Sequence, residues 1–133
     1  MEISAFVRNA GATHEVRVRT DGNVQTLSVA AKSSGQGSSV NGGELLMLAL
    51  ATCYCNDLYR EAARLSISLE QVEVEATAEF PGIGLAATNI RYKATVKSPA
   101  SEAEIDRLLR ETDAVAEVHN TIRKGLPVEL VAG

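Results

Sequence analysis

Asn41-Gly-Gly-Glu44-Leu-Leu-Met-Leu-Ala-Leu50-Ala-Thr-Cys53-Tyr-Cys55-Asn-Asp57 is the stretch around which the other elements of this chain can be placed. An Asn side chain followed three positions later by Glu is a capping-box pattern, so a helix is predicted to begin near Gly42 and to run to about Leu65. Its first half is apolar almost all round, which predicts burial on most sides. Its second half, Asp57-Leu-Tyr-Arg-Glu-Ala-Ala-Arg64, is amphipathic. This helix also carries the only two cysteines, Cys53 and Cys55.

Working outward toward the N-terminus, Ile3, Ala5 and Val7 alternate with polar residues, and so do Val16 and Val18. Thr20-Asp21-Gly22-Asn23 is a hairpin turn signal, followed by Val24, Leu27 and Val29. A three-stranded meander is predicted, then a Ser/Gly-rich loop over 31–43. On the other side, Leu69 to Phe80 alternates as a half-buried strand, Pro81-Gly82-Ile83-Gly84 turns the chain, and Asn89 to Val96 returns. Ser101-Glu-Ala-Glu104 is a second capping box opening an amphipathic helix. Thr112-Asp113 is read as the cap of a further helix, Ala114 to Lys124, stopped by Gly125 and Pro127. A last short strand is expected over Val128 to Val131. The predicted order is βββ-α-ββ-αα-β in one domain, 1–133, of class α+β with antiparallel sheets around a long buried central helix. One small sheet cannot cover that helix on all sides, so a homodimer is expected.

The 133 residues are enough for a real core, and the hydrophobic share is 45%. A net charge of −4, with no basic cluster longer than Arg123-Lys124, argues against nucleic acid as a partner. The longest apolar run, Leu45 to Ala51, is too short to span a bilayer. No basic n-region or cleavage site is visible at the start, so a cytoplasmic location with reduced cysteines is expected.

Two residues apart on a helix is about 200° around the axis, so Cys53 and Cys55 point to nearly opposite sides and cannot pair while the helix is intact. Buried small apolar residues are the alternative reading of both. The metal-ligand types present are Cys53, Cys55, His119 and His14, and opposed cysteines suit one ion badly, so no metal and no cofactor are expected. Glu44 is either an activating acid or the capping residue. His119 is either a base near a thiol or a partly exposed helix residue. Arg17 and Arg19 share one face of a strand and read as a solvated face or an anion clamp.

Taken together, these pieces resemble the OsmC/Ohr superfamily of small thiol proteins. The likeness rests on the three N-terminal strands, the Gly/Ser-rich loop and the helix pattern from Glu44-Leu45-Leu46 to Thr52-Cys53. The long hairpin, the paired C-terminal helices and Asn120-Thr-Ile-Arg-Lys-Gly-Leu-Pro-Val128 complete it. The resemblance implies an intertwined α+β homodimer. It also implies a thiol-dependent, peroxiredoxin-like hydroperoxide reductase, with Cys53 as the reactive thiol, a small hydroperoxide as substrate and a dithiol as reductant. The family's resolving cysteine falls on Ala116 and its acid on Gly43, with Glu44 one residue away. Its Arg falls in the turn Asn9 to Glu15, near Arg8, Arg17 and Arg19 but on none of them. These departures favour either one-cysteine chemistry at Cys53 or a non-catalytic dimer that binds a small ligand in its interface cleft.

Overall fold

Eight elements follow one another along residues 1–133, all of which the computed structural model describes. They are β1 (Ile3–Ala10), β2 (Thr13–Thr20), β3 (Asn23–Leu27), α1 (Gly42–Arg64), β4 (Gln71–Glu79), β5 (Thr88–Lys97), α2 (Glu102–Val115) and α3 (Glu117–Lys124). The class is α+β with antiparallel sheets, as the alternation predicted. The chain divides into two compact units, Met1–Leu45 and Leu46–Gly133.

In the first unit, β1, β2 and β3 form an antiparallel meander in that order. Ala5 faces Val18 and Val7 faces Val16 across the first pair. The turn into β3 is two residues, with Asp21 at φ 48, a left-handed conformation that Asp tolerates better than most residues. The loop that follows is held by Asn9: its side-chain oxygen accepts from the Gly37 N–H at 3.2 Å, and its amide donates to the Gly37 carbonyl at 3.4 Å. At the start of α1 the predicted capping box is complete. The Glu44 N–H donates to Asn41 Oδ1 at 2.8 Å, and the Asn41 N–H donates to Glu44 Oε1 at 3.0 Å.

In the second unit, β4 and β5 make a long hairpin that pairs Val72 with Val96, Val74 with Ala94 and Ala76 with Tyr92, with an irregularity between Thr77 and Glu79. The period of two sends Val72, Val74, Tyr92, Ala94 and Val96 to one face. There they pack against a core of Tyr54, Leu58, Ala62, Leu108 and Ala116. Ser101 and Glu104 cap α2 reciprocally, as the sequence predicted.

Three expectations are corrected. Thr112 and Asp113 do not cap a new helix, because α2 continues to Val115 and the break falls at Ala116, φ −73 and ψ 108. Thr112 is fully buried and its hydroxyl donates to the Leu108 carbonyl at 2.7 Å, inside the helix, while Asp113 is taken up by Tyr92 and Arg123. The final strand does not form: residues 126–133 hold no regular structure, and Val128 is 99% exposed. Alternation there has no neighbouring strand to pair with. Burial along α1 also runs against the expectation. Leu45, Leu46 and Leu48 of its apolar half are exposed within one chain, whereas Asp57 and Glu61 of its polar half are buried.

Candidate functional site

Cys53 lies at the edge of the buried face of α1, half-covered and unpaired. One helical turn on, Asp57 presents Oδ2 at 3.6 Å from the sulfur. The first residue of α3, Glu117, brings Oε2 to 3.9 Å from it. The i, i+4 spacing on α1 fixes the first neighbour; the crossing of α3 over α1 supplies the second. Arg60, about two turns beyond Cys53 and on the same side, donates from Nη1 to Asp57 at 3.1 Å and to Glu117 at 3.2 Å. Its Nε reaches Glu61 at 3.2 Å. Arg64 then joins Glu61 at 2.9 Å to Glu111 of α2 at 3.1 Å. The thiol thus sits at the end of a charge ladder along one side of α1.

These neighbours set the protonation of the site. Burial pushes the Cys53 thiol up from its ordinary value, and the Asp57 and Glu117 carboxylates push the same way. Against them stands the Val118 backbone N–H, which favours the thiolate. That N–H is available because α3 has no side-chain cap at its start, and first-turn N–H groups of a helix have no partner within it. Asp57 is also raised, first by burial and then by Glu117 beside it. Glu117 is lowered by its own backbone N–H, by Asp57 and by Arg60. Of the two acids, Asp57 therefore holds a proton more readily. The arrangement suits passing a proton between sulfur and carboxylate better than storing a thiolate.

The ligand atoms of Cys53, Asp57 and Glu117 all lie within 4.8 Å of one another. This is a sulfur-and-oxygen set of the kind that binds divalent ions, but Arg60 already supplies the balancing positive charge. The set also differs from the ligand types singled out in the sequence. Cys55 is half-buried and unpaired. His14 lies in β2, where Asn9 Nδ2 is 3.1 Å from its Nδ1. His119 is buried against the Tyr54 and Tyr92 rings.

The other residues considered from sequence have local partners. Both roles of Glu44 in the capping box are filled. Arg17 is paired with Glu15 at 3.2 Å and lies over the Phe6 ring at 4.3 Å. Arg19 is paired with Glu2 at 2.5 Å and Ser4 at 3.2 Å. Asp57, Arg60 and Glu117 are the site residues that sequence reasoning missed. The pattern Cys53-x3-Asp57-x2-Arg60 was there to be read as one helix side, but Glu117 joins it only through tertiary packing.

No helix is long and apolar enough to cross a membrane. Solved structures share the fold. An OsmC-like protein from Mycoplasma pneumoniae matches with a TM-score of 0.65 at 21% identity, covering 92% of this chain and 86% of that one. An organic hydroperoxide resistance protein OsmC from Legionella pneumophila, described as a predicted redox protein, matches at 0.62 and 20%, covering 92% and 90%. A putative organic hydroperoxide resistance protein from Vibrio cholerae, with captopril bound in one of its active sites, matches at 0.60 and 18%, covering 92% and 85%. Among curated proteins, no relative matches this chain. The family described as OsmC-like protein matches residues 35–131, which include Cys53 and every member of its cluster, and the chain belongs to that family.

Proposed function

We propose that this OsmC-like protein is a one-cysteine thiol reductase of small organic hydroperoxides, with Cys53 as the reacting group. The observation that carries the reading is a half-buried thiol 3.6 Å from the Asp57 carboxylate with the Val118 N–H beside it. Asp57 takes the thiol proton as the sulfur attacks the terminal oxygen of the hydroperoxide. The O–O bond breaks, the sulfur becomes a sulfenic acid, and the departing alkoxide takes the proton from Asp57 to leave as an alcohol. An external dithiol completes the cycle. One of its thiols displaces water from the sulfenic acid to form a mixed disulfide; the other then releases Cys53 and closes the reductant's own disulfide. The organic hydroperoxide resistance proteins that share this fold support the substrate class.

The proposed assembly is a homodimer. Leu45, Leu46 and Leu48 line the exposed start of α1 in a single chain, and a second copy would take them out of water. A cytoplasmic setting would keep Cys53 and Cys55 reduced.

A second reading is favoured by the surroundings of the thiol. Burial first, and then the two carboxylates, push it above its ordinary value, and Ala116 offers no second thiol. On that reading the protein is a non-catalytic dimer that binds a small ligand in its interface cleft. Consumption of tert-butyl hydroperoxide with a dithiol reductant separates the two. The enzyme requires wild type to exceed Cys53→Ser at least tenfold, and equal rates favour the binding protein.

A further inference from the structure

His119 is the only buried side chain of α3, at 3% exposure. Neither ring nitrogen has a hydrogen-bond partner, so packing alone holds the ring. It meets the Tyr92 ring edge-on with centroids 4.4 Å apart and lies tilted to the Tyr54 ring at 5.7 Å. Aromatic pairs at such separations attract beyond what their buried area gives. The two tyrosines are themselves fixed. Their rings meet edge-on at 4.7 Å. The Tyr54 hydroxyl donates to the Leu109 carbonyl of α2 at 2.7 Å, and the Tyr92 hydroxyl donates to Asp113 near the end of α2. The imidazole therefore rests in a seat built by α1, β5 and α2.

That seat bears on Cys53 through chain order on both helices. Tyr54 follows Cys53 on α1, and His119 follows Glu117 and Val118 on α3. Neighbours in one turn of a helix move together, since each rises only about 1.5 Å beyond the last. Seating His119 on Tyr54 thus sets the height and rotation at which Glu117 comes to 3.9 Å from the sulfur, with the Val118 N–H beside it. The other ties of α3 are weaker or lie elsewhere. No side chain caps its start. The Arg60–Glu117 pair joins side chains that are 47% and 67% exposed, and an exposed ion pair adds little. Asn120 and Arg123 reach the end of α2 rather than α1, at the Ala114 carbonyl, 3.1 Å, and the Asp113 carboxylate, 2.7 Å.

We propose that His119 is a positioning residue of the Cys53 site: its ring, seated against Tyr54 and Tyr92, holds the first turn of α3 so that Glu117 and the Val118 N–H stay on the sulfur. The shape of the ring matters, and its nitrogens take no part. This role concerns the state of the thiol and holds whether or not that thiol reduces hydroperoxides.

The test is the pH dependence of Cys53 alkylation by iodoacetamide in a Cys55→Ser background. In His119→Ala the midpoint should fall toward that of a free cysteine, and the rate at pH 7 should rise several-fold. Burial and Glu117 are withdrawn together there, and they outweigh the lost N–H. His119→Phe returns a ring to the seat and should keep the wild-type midpoint. A coupling measurement separates positioning from a merely structural role. Glu117→Gln should lower the midpoint when His119 is present and have no further effect in His119→Ala. An unchanged midpoint in His119→Ala overturns the proposal. So does a shift in His119→Phe as large as that in His119→Ala, or a Glu117→Gln effect equal in both backgrounds. Should His119→Ala misfold, His119→Val, too short to reach both rings, replaces it in every comparison. Alkylation needs neither peroxide nor reductant, so failure here is separable from failure of the reductase reading.

Discussion

The sulfur of Cys53 has two carboxylates and one backbone N–H for neighbours, and burial, with the carboxylates beside it, outweighs the N–H and raises the thiol. In a Cys55→Ser background, its alkylation rate should rise with pH to a midpoint above that of a free cysteine in the same buffer. Asp57→Asn removes one negative charge and the acceptor of the S–H, so it should lower that midpoint and speed alkylation at pH 7 several-fold. The same change should slow hydroperoxide reduction if Asp57 carries the proton. Mass-spectrometric labelling set beside peroxide consumption checks both directions. His119 behaves oppositely in acid. Its folded pKa lies below the unfolded value of about 6.5. Above pH 6.5 both states are neutral; as pH falls through and below it, the unfolded chain binds the proton first and stability is lost. The groups facing it are Tyr54, Tyr92, Asp113 and Arg123. Urea melts at pH 7 and pH 5 should therefore show a smaller acid loss for His119→Phe than for wild type. Cys53 was legible from sequence as the candidate thiol, whereas Asp57 and Arg60 were read only as the polar side of a helix. A periodicity cannot tell which side of a helix another helix will cross.

Among the elements, the helix starts were the most legible feature. Asn41–Glu44 and Ser101–Glu104 both close their reciprocal hydrogen bonds, because a capping box is a local interaction written within four residues. Ser101→Ala should cost about 1 kcal/mol in denaturant unfolding, from loss of the Glu104 N–H acceptor. The end of α3 was equally local. Gly125 sits at φ 60 and ψ 47, and its N–H donates to the Ile122 carbonyl, a conformation that favours glycine. The boundary between α2 and α3 was not legible. Thr112 has cap chemistry, but its full burial turns the hydroxyl back onto the Leu108 carbonyl. Burial of that kind comes from packing against distant elements. For the same reason the alternation over Val128 to Val131 misled, since a strand exists only where another backbone meets it.

For the whole molecule, class, the order of the eight elements from β1 to α3 and the antiparallel pairing followed from hydrophobic period and turn residues. What one chain leaves open is the cover of the first turns of α1. Sedimentation should give twice the chain mass, and Leu48→Glu, which places a charge at a position 59% exposed in one chain, should shift the protein toward monomer. A wild type that stays monomeric at high concentration would argue against the dimer. The smallest helix bears on the whole second unit in another way. α3 is eight residues long, about two turns, and its first turn supplies both Glu117 and the Val118 N–H to the Cys53 sulfur. Short helices open locally at a lower free energy than the fold as a whole. Each such opening strips the sulfur of one carboxylate and one N–H together and widens its access to solvent. The chemical state of Cys53 is thereby tied to the fluctuations of α3, and thiol labelling becomes a clock for how often that helix lets go.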